Sequence, residues 1–274
     1  MAKVPLAKVV RACDRWLRPD QFADWDGARN GLQVENRGQV HRLVAAVDAS
    51  LATVKLAADA GADLLLVHHG LFWSERLPWT GPTYRLLRRL MDHDLAVYSA
   101  HLPLDAHRKI GNNVLLCHAL GFRALAPFFA CKGRRIGWQT RIRIPRERLV
   151  ERVAGVLGTR PTLLPGGPPV CRRIGVVTGG AGGDLRQAAA EGVDTFITGE
   201  GPHWTHGLAE ELGLNVLYGG HYATETFGVK ALPAHLGRRF GLPWSFLDHP
   251  SGLRTIGSRW TKDRFPGPLG RGSQ

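Results

Sequence analysis

The 274-residue sequence has no long hydrophobic run. None of its apolar stretches approaches the roughly 18 residues that a transmembrane helix needs. The first ten residues also lack the long apolar core and the small-residue cleavage site of a secretory signal peptide. These absences argue against an integral membrane protein and against a secreted one. We therefore expect a cytoplasmic protein with no membrane partner.

Cysteine is scarce, and the few cysteines are widely scattered. The four are Cys13, Cys117, Cys131 and Cys171. No Cys-x-x-Cys motif occurs, which argues against a zinc knuckle and against a thioredoxin-like redox pair. We expect buried free thiols, so any metal ion would be held by nitrogen and oxygen atoms.

Acidic residues are few relative to basic ones, with 23 Asp and Glu against 36 Lys and Arg and a net charge of +13. Residues 131–152 and 251–274 together contribute ten of these charges. Such a patchy excess could attract acidic partners such as nucleotides, RNA or DNA. A solvated basic surface is the alternative explanation. Because no recognition helix or stacking-aromatic motif accompanies the charge, a nucleic-acid partner remains a secondary possibility.

The most informative stretch that is present spans residues 64–73. Four apolar residues, 64–67, lead directly into His68, His69 and Gly70. An apolar run without polar alternation predicts a strand buried on both faces, in a parallel sheet flanked by helices. Open α/β folds bind their ligands beyond the carboxyl ends of such strands. An isolated histidine pair would more often be one core residue and one solvated residue, so its meaning depends on the rest of the chain.

Neighbouring segments predict an α/β fold around this strand. Residues 43–48 form a second apolar strand, followed by an alanine-rich helix that Gly61 ends. Together with residues 64–67 this pattern is a βαβ unit, whose crossover is right-handed in nearly all proteins. Residues 95–100 form a third apolar strand, which leads directly into His101.

The second half of the sequence resembles the first. With an offset of 131 residues, six of the seventeen positions from 57 to 73 are identical, and an offset of 120 aligns the segments after two later strands. The aligned polar pairs are His69 with Glu200, His101 with His221, and Asp105 with Glu225. Shared alanine and glycine content would explain part of the match. A histidine and a carboxylate four residues apart, twice after an apolar strand, are harder to explain in that way.

An internal duplication predicts two similar α/β lobes with mostly parallel sheets flanked by helices, and a metal site in the cleft between them. We place the first lobe at residues 1–128, the second at residues 129–252, and a basic, flexible tail at residues 253–274. Strand-end side chains from both lobes could then converge on one cleft: His68, His69 and Asp105 from the first, and His221 and Glu225 from the second.

With His101, these residues form a candidate site of four imidazoles and two carboxylates. Such groups suit divalent zinc, iron, manganese, cobalt or nickel. Six of them exceed the three protein ligands of a typical catalytic zinc site, and they suit two ions about 3.5–4 Å apart that share a carboxylate. Taken singly, each residue also has an ordinary explanation: Asp105 as a turn residue, His221 as a core histidine, and Glu225 as a solvated helix residue.

Several motifs carry a family resemblance. They are Trp25-Asp26 with Gly31-Leu32-Gln33-Val34, the residues 68–73, His101-Leu102-Pro103-Leu104-Asp105 with Gly111-Asn112-Asn113, Thr198-Gly199-Glu200, and the residues 220–225. In this order they resemble the Nif-three-like family of dinuclear-metal-centre hexameric proteins, often labelled GTP cyclohydrolase I type 2. The resemblance implies two metal ions per chain, a hexameric ring and five metal ligands, namely His68, His69, Asp105, His221 and Glu225. It also implies that Glu225 bridges the ions and that His101 lies beside them, either as a residue that supports the ligands or as a proton-transfer group.

Two functions remain open at this point. One is a metal-dependent hydrolase that acts on a nucleotide-like or phosphorylated small molecule. The other is a metal carrier, insertase or regulatory metal-binding protein without turnover, whose partner would be a metal acceptor. The sequence does not distinguish them, and it leaves the role of Glu200 open between a structural residue and a residue of the site.

Overall fold

The computed structural model describes residues 3–73 and 78–251, so the predicted basic tail lies outside the described residues. The strands are β1 (Val4–Pro5), β2 (Gly31–Val34), β3 (Gln39–Val40), β4 (Leu43–Asp48), β5 (Leu64–His69), β6 (Ala96–Ser99), β7 (Ala126–Cys131), β8 (Arg134–Pro145), β9 (Thr162–Pro165), β10 (Val170–Val176), β11 (Thr195–Thr198), β12 (Asn215–Tyr218) and β13 (Trp244–Phe246). The helices are α1 (Leu6–Leu17), α2 (Leu51–Asp59), α3 (Gly81–Asp92), α4 (Leu102–Asp105), α5 (Asn112–Ala119), α6 (Arg146–Leu157), α7 (Leu185–Ala190), α8 (Thr205–Glu211), α9 (His221–Thr224) and α10 (Thr226–Phe240).

The apolar runs form buried parallel strands, as predicted. β4 and β5 pair in parallel, with Leu43 opposite Leu64 and Asp48 opposite His69. The helix between them begins with a capping box, in which Ser50 and Thr53 each bond the other's backbone N–H. The side chains of β4 and β5 pack into apolar layers on both faces of the sheet, because strands covered by helices on both sides leave no solvent face.

Besides a two-stranded antiparallel sheet of β1 and β3, the described residues form two large sheets, which differ in strand direction. The first has the order β13-β4-β5-β6-β2, in which only the β6–β2 pairing is antiparallel. The second has the order β7-β8-β10-β11-β12-β9, and the pairings β7–β8, β8–β10 and β12–β9 are antiparallel. The expectation of mostly parallel sheets therefore holds for the first sheet and is wrong for the second. A two-residue turn at Lys132 and Gly133, both with positive φ, makes β7 and β8 a hairpin, which is necessarily antiparallel.

Both sheets contain the same core arrangement of strands. β4, β5 and β6 run parallel in the first, β10, β11 and β12 run parallel in the second, and an antiparallel strand borders β6 and β12 alike. A four-residue helix follows β6 and β12, with His101 at the start of one and His221 at the start of the other. The segments that carry the predicted ligands therefore occupy matching positions at the ends of the parallel strands.

The chain returns to the first sheet after it completes the second. α10 packs against β4 and β5, and its residues Val229, Leu232 and Leu236 join the core formed by Leu43 and Leu64. β13 then pairs in parallel with β4. The strand pairing therefore departs from the predicted limits of 1–128 and 129–252 at the C-terminal end, because residues 226–246 pack with the first sheet. In the part of the chain that the structure covers, no helix combines the length and the apolarity needed to cross a bilayer.

Candidate metal centre

The site begins where β5 ends. His68 is fully buried and His69 is partly exposed, yet their ring centres lie only 4.8 Å apart. Successive side chains in the middle of a strand would point to opposite faces of the sheet. Both rings instead reach over the carboxyl end of the strand, so two adjacent residues serve one site.

One hydrogen bond, at Nδ1, orients the ring of each of the four histidines. The Nδ1 atoms pair with the carbonyl of Ala100 for His68 (2.8 Å), Asp48 for His69 (2.7 Å), Asp24 for His101 (2.9 Å) and Glu200 for His221 (2.9 Å). Because Nδ1–H donates outward in every case, Nε2 is the nitrogen left to bind a metal ion once it has given up any proton that it carries. This pattern, with an oxygen acceptor behind each imidazole, is the usual support of metal-binding histidines.

The inward-facing atoms converge on two carboxylates. His68 Nε2 lies 3.4 Å from Asp105 Oδ2 and 3.5 Å from Glu225 Oε1. Glu225 Oε2 lies 3.4 Å from His69 Nε2, and Glu225 Oε1 lies 3.2 Å from His221 Nε2. Two sets of potential ligands result, one of His68 with Asp105 and one of His69 with His221, and Glu225 belongs to both. All five side chains predicted as ligands are thus brought together.

His101 lies against the same cluster. Its ring centre is 4.8 Å from that of His68 and 5.7 Å from that of His69. A ligand atom of His101 lies within 4.8 Å of ligand atoms of both. Asp24 accepts a hydrogen bond from its Nδ1 and also accepts from the backbone N–H of Leu102. His101 is therefore placed beside the five converging groups, with its outer nitrogen held by a carboxylate.

Two buried polar atoms in the cluster have no hydrogen-bond partner, namely His68 Nε2 and Glu225 Oε2. Leaving such atoms unpaired in the interior is costly. Within the described residues, the ion pairs of Asp105 and Glu225 are all with histidines, so no lysine or arginine neutralises these buried carboxylates. The donor set of imidazoles and carboxylates, with both orphaned atoms aimed inward, fits divalent metal ions.

The electrostatics of the metal-free cluster point the same way. Burial lowers the pKa of His68, but the charges of Asp105 and Glu225 outweigh burial and raise it well above its ordinary value. Burial likewise lowers the pKa of His221, but its hydrogen bonds and charge interactions with Glu225 and Glu200 raise it to about 9. Burial raises the pKa of Glu225, yet the charges of His68 and His69 hold it well below its usual range. Protons on the imidazoles thus supply the positive charge that the carboxylates require.

Asparagine and glycine residues fix the position of Asp105. Asn112 Nδ2 donates to Asp105 Oδ1 (2.8 Å), and Asn112 Oδ1 accepts from the backbone N–H of Gly228 (2.6 Å), at the start of α10. Asn113 donates to the backbone carbonyl of Asp105 and accepts from the N–H of Thr178, which lies just after β10 of the second sheet. The Gly-Asn-Asn motif therefore ties the carboxylate to both sheets.

Gly179 allows close approach of the backbone to the shared carboxylate. It has a φ of +72°, and a Cβ atom at this position would lie 2.3 Å from Glu225 Oε1. Its N–H donates to Thr224, beside Glu225. Any larger residue would collide with the carboxylate and would also be strained by its backbone conformation.

Comparison with known proteins identifies the family. A family model described as DUF34/NIF3 (NGG1p interacting factor 3) matches residues 4–250. The chain belongs to the DUF34/NIF3 family. It is 42% identical over 250 residues to the "GTP cyclohydrolase 1 type 2 homolog" of Deinococcus radiodurans, covering 90% of this chain and 94% of the relative. It is 40% identical over 251 residues to the protein of the same name from Pseudomonas aeruginosa, covering 90% and 98%.

Solved structures of DUF34/NIF3 relatives have the same fold. The crystal structure of a Thermus thermophilus protein superposes with a TM-score of 0.82 at 40% identity, covering 91% of this chain and all of that one. The reduced protein HcgD from Methanocaldococcus jannaschii superposes with a TM-score of 0.80 at 27% identity, covering 91% and 100%. The predicted resemblance is therefore confirmed, and the α/β architecture is that of known family members.

Sequence reasoning missed most of the residues that orient the histidines. Asp48 ends the apolar run 43–48 and is given no part in the site by the sequence, yet it accepts from His69, which it faces directly across the β4–β5 ladder. Asp24 was not singled out, although it lies beside the Trp25-Asp26 motif. The sequence leaves open whether Glu200 is a structural residue or belongs to the site, and in the structure its carboxylate accepts a hydrogen bond from His221 Nδ1 on the outside of the cluster. An acidic residue at the end of the strand next to β5 was the one available signal for Asp48.

Proposed function

We propose that this DUF34/NIF3 protein holds two divalent metal ions and is a metal-dependent hydrolase of a nucleotide-like or phosphorylated small molecule. His68 and Asp105 would hold one ion, His69 and His221 the other, and Glu225 both. The observation that carries the proposal is the convergence of histidine Nε2 atoms on two buried carboxylates, with His68 Nε2 and Glu225 Oε2 unpaired. The names of the curated relatives are compatible with a nucleotide-like substrate.

Bound divalent ions would polarise the scissile group and activate water near neutral pH. The chain's own residues would position the substrate and transfer protons to or from it. His101 is suited to take up a proton at Nε2 and pass it on, because the hydrogen bond between its Nδ1 and Asp24 (2.9 Å) keeps the other proton on Nδ1 and leaves Nε2 as the basic nitrogen. The side chain of His101 is only 10% exposed, which keeps bulk water from competing for that proton. We assign His101 as the group that donates a proton to the leaving atom or takes one from water.

A metal carrier, insertase or regulatory metal-binding protein remains the second candidate, because of one observation. The side chains of His69 and His221 are 19% and 31% exposed, whereas His68 is fully buried. An ion held by His69 and His221 could therefore leave without opening the fold. In that case the partner would be a protein or cofactor that accepts the ion.

The decisive experiment compares metal content and turnover in four proteins. Wild type, Asp105→Ala, Glu225→Ala and the exposed control Glu210→Ala are loaded with zinc or manganese, analysed for metal and incubated with nucleotides and phosphoesters. The hydrolase predicts turnover in wild type and Glu210→Ala only. Ready metal transfer to an acceptor without any turnover would support the carrier instead. Metal near zero in carefully loaded wild type would refute both.

We further propose that the two sheets descend from one duplicated unit and that the protein assembles as a homohexamer in the cytoplasm. The shared order of parallel strands and the matching helices α4 and α9 support the duplication. The hexamer follows from the family resemblance. Light scattering after size-exclusion chromatography tests it, because a mass of one, two or three chains would contradict six.

A further inference from the structure

Two exposed tryptophans stand at the mouth of the metal centre. Trp25 is 45% exposed and its ring centre lies 5.6 Å from that of His101. Trp73 is 40% exposed, with its ring centre 4.7 Å from His101 and 5.6 Å from His69. Both indoles meet the His101 ring edge to face, at interplanar angles of 66° and 74°. Large apolar surface is therefore left open to solvent directly beside the proposed proton-transfer group.

The segments that carry these tryptophans are fixed to each other. A Cβ atom on Gly27 would lie 3.0 Å from the Cα of Trp73, so the two segments touch at this glycine. Gln33 accepts from the N–H of Leu71 (2.7 Å) and donates to the carbonyl of Arg29 (2.9 Å). This amide bridges the segment after Trp25 to the segment before Trp73. The segments that carry the two indoles are thus joined, although the indoles themselves are 45% and 40% exposed.

A basic residue from the second sheet completes the mouth. Lys132 occupies the tip of the β7–β8 hairpin, and its Nζ atom lies 5.1 Å from the centre of the Trp25 ring. Lys132 is exposed, and no carboxylate of the described chain forms an ion pair with it. A cation over an indole face gains some electrostatic stabilisation. Its ammonium group retains hydrogen-bonding capacity for an anion.

We propose that Trp25, Trp73 and Lys132 are the residues that select the substrate. Its planar aromatic ring would pack against the indoles, and its phosphate or carboxylate would pair with Lys132. The substrate class is then an anionic aromatic heterocycle of the size of a nucleotide, and a simple sugar phosphate is a poor substrate. This inference rests on the proposed hydrolase function, because it places the ring beside His101. Stacking on aromatic side chains tolerates different bases, so recognition of the ring need not depend on a base-specific hydrogen bond.

The test measures binding of defined probes by equilibrium dialysis to the full chain, both zinc-loaded and treated with chelator. The probes are the four common nucleoside 5′-monophosphates, the matching nucleosides and ribose 5-phosphate. The variants are Trp25→Leu, Trp73→Leu and Lys132→Ala. The matched control is Trp244→Leu, because Trp244 is also 40% exposed but pairs with Leu43, at the opposite end of β4 from the metal centre. Metal content and thermal unfolding establish that every variant is folded.

We expect at least one nucleotide to bind more tightly than ribose 5-phosphate. Each of Trp25→Leu and Trp73→Leu should weaken that binding about tenfold or more. Lys132→Ala should weaken binding of the nucleotide but not of the nucleoside, and by more at low salt than at high salt. Trp244→Leu should change neither.

The inference is overturned if ribose 5-phosphate binds as tightly as every nucleotide, if no nucleotide binds, or if the tryptophan variants match Trp244→Leu. The proposed function fails separately, through absence of bound metal or of turnover in wild type. Because binding is also measured after chelator treatment, that failure leaves the dependence on the tryptophans measurable. If wild type binds metal and turns over substrate, but Trp25→Leu and Trp73→Leu bind nucleotides as well as Trp244→Leu does, only the proposed substrate class is refuted.

Discussion

The candidate metal centre has an inner half and an outer half that differ in exposure. The inner half is His68 with Asp105, whose side chains are 0% and 7% exposed, and the outer half is His69 with His221, at 19% and 31%. Glu225, at 3%, belongs to both. One end of the centre is therefore enclosed by protein, and the other faces the solvent.

The two halves are also supported in different ways. In the inner half, a backbone carbonyl holds His68 and the buried amide of Asn112 holds Asp105. In the outer half, the supports are the carboxylates of Asp48 and Glu200, which are 41% and 45% exposed. A backbone carbonyl keeps its position as long as the strands pair, whereas an exposed side chain can change its rotamer. The backbone therefore positions the inner half directly, and we expect the inner half to hold its proposed ion more tightly than the outer half.

The largest effect is expected at the residue that the two halves share. Glu225→Ala removes both carboxylate oxygens, so neither half keeps a complete ligand set. Elemental analysis should show a fall from about two ions per chain to nearly none. Glu210→Ala, on the exposed face of α8, is the matched control and should retain both. If Glu225→Ala keeps one ion at full occupancy, the carboxylate is not shared.

Removing one ligand from each half separates them. Asp105→Ala should abolish the inner ion and leave the outer one, so that about one ion per chain remains, held weakly enough for a mild chelator to remove. His221→Ala should abolish the outer ion and leave the inner one, which should resist the same chelator. Competition with a coloured chelator measures both rates of loss. Equal resistance in the two variants would show that burial does not govern retention here.

The residues that line both halves of the centre could be predicted from the sequence. The four histidines end an apolar strand or follow one within three residues, and Asp105 and Glu225 lie four residues beyond His101 and His221. The carboxyl ends of parallel strands meet at one edge of a sheet. The two apolar runs 64–67 and 95–100 were therefore enough to bring His68, His69 and His101 together. The segment that carries Glu225 was matched through its similarity to the segment after His101.

The supports of the histidines could not be predicted in the same way. The Asp24–His101 hydrogen bond joins residues 77 positions apart, and it depends on the path of an irregular segment with no periodicity. The pairing of β13 with β4 was missed because a three-residue strand carries almost no pattern. The antiparallel pairing of β7 with β8 in the second sheet depends on the two-residue turn at Lys132 and Gly133, and a lysine side chain does not favour the positive φ found there.

Metal binding by the outer half should depend on pH, because a histidine of that half must lose a proton before it binds an ion. His221 has its pKa raised to about 9 in the folded, metal-free protein, so a metal ion must displace its proton. Affinity of the outer half should rise about tenfold per pH unit between pH 6.5 and 9 and level off above that. Titration calorimetry in buffers of different ionisation enthalpy measures the proton released. An affinity that is flat over this range would contradict a protonated His221.

The same shift has the opposite sign for the stability of the metal-free protein. A histidine whose pKa is raised by folding stabilises the folded state fully below its unfolded value of about 6.5. That contribution is lost as the pH rises from there through about 9. Thermal unfolding in the presence of chelator should therefore occur at progressively lower temperature across this window. His221→Gln should remove that part of the pH dependence.

The smallest effect is expected at the supports of the outer half. Glu200→Gln keeps a hydrogen-bond acceptor for His221 but removes the negative charge, and Asp48→Asn does the same for His69. Loss of such outer partners costs about 10- to 100-fold in metal affinity, and the lower end is expected because both carboxylates are about half exposed. The inner ion has no carboxylate behind His68, so its affinity should stay unchanged in both variants. A comparable loss at the inner half would mean that the two ions are held cooperatively through Glu225, and that the halves are one unit.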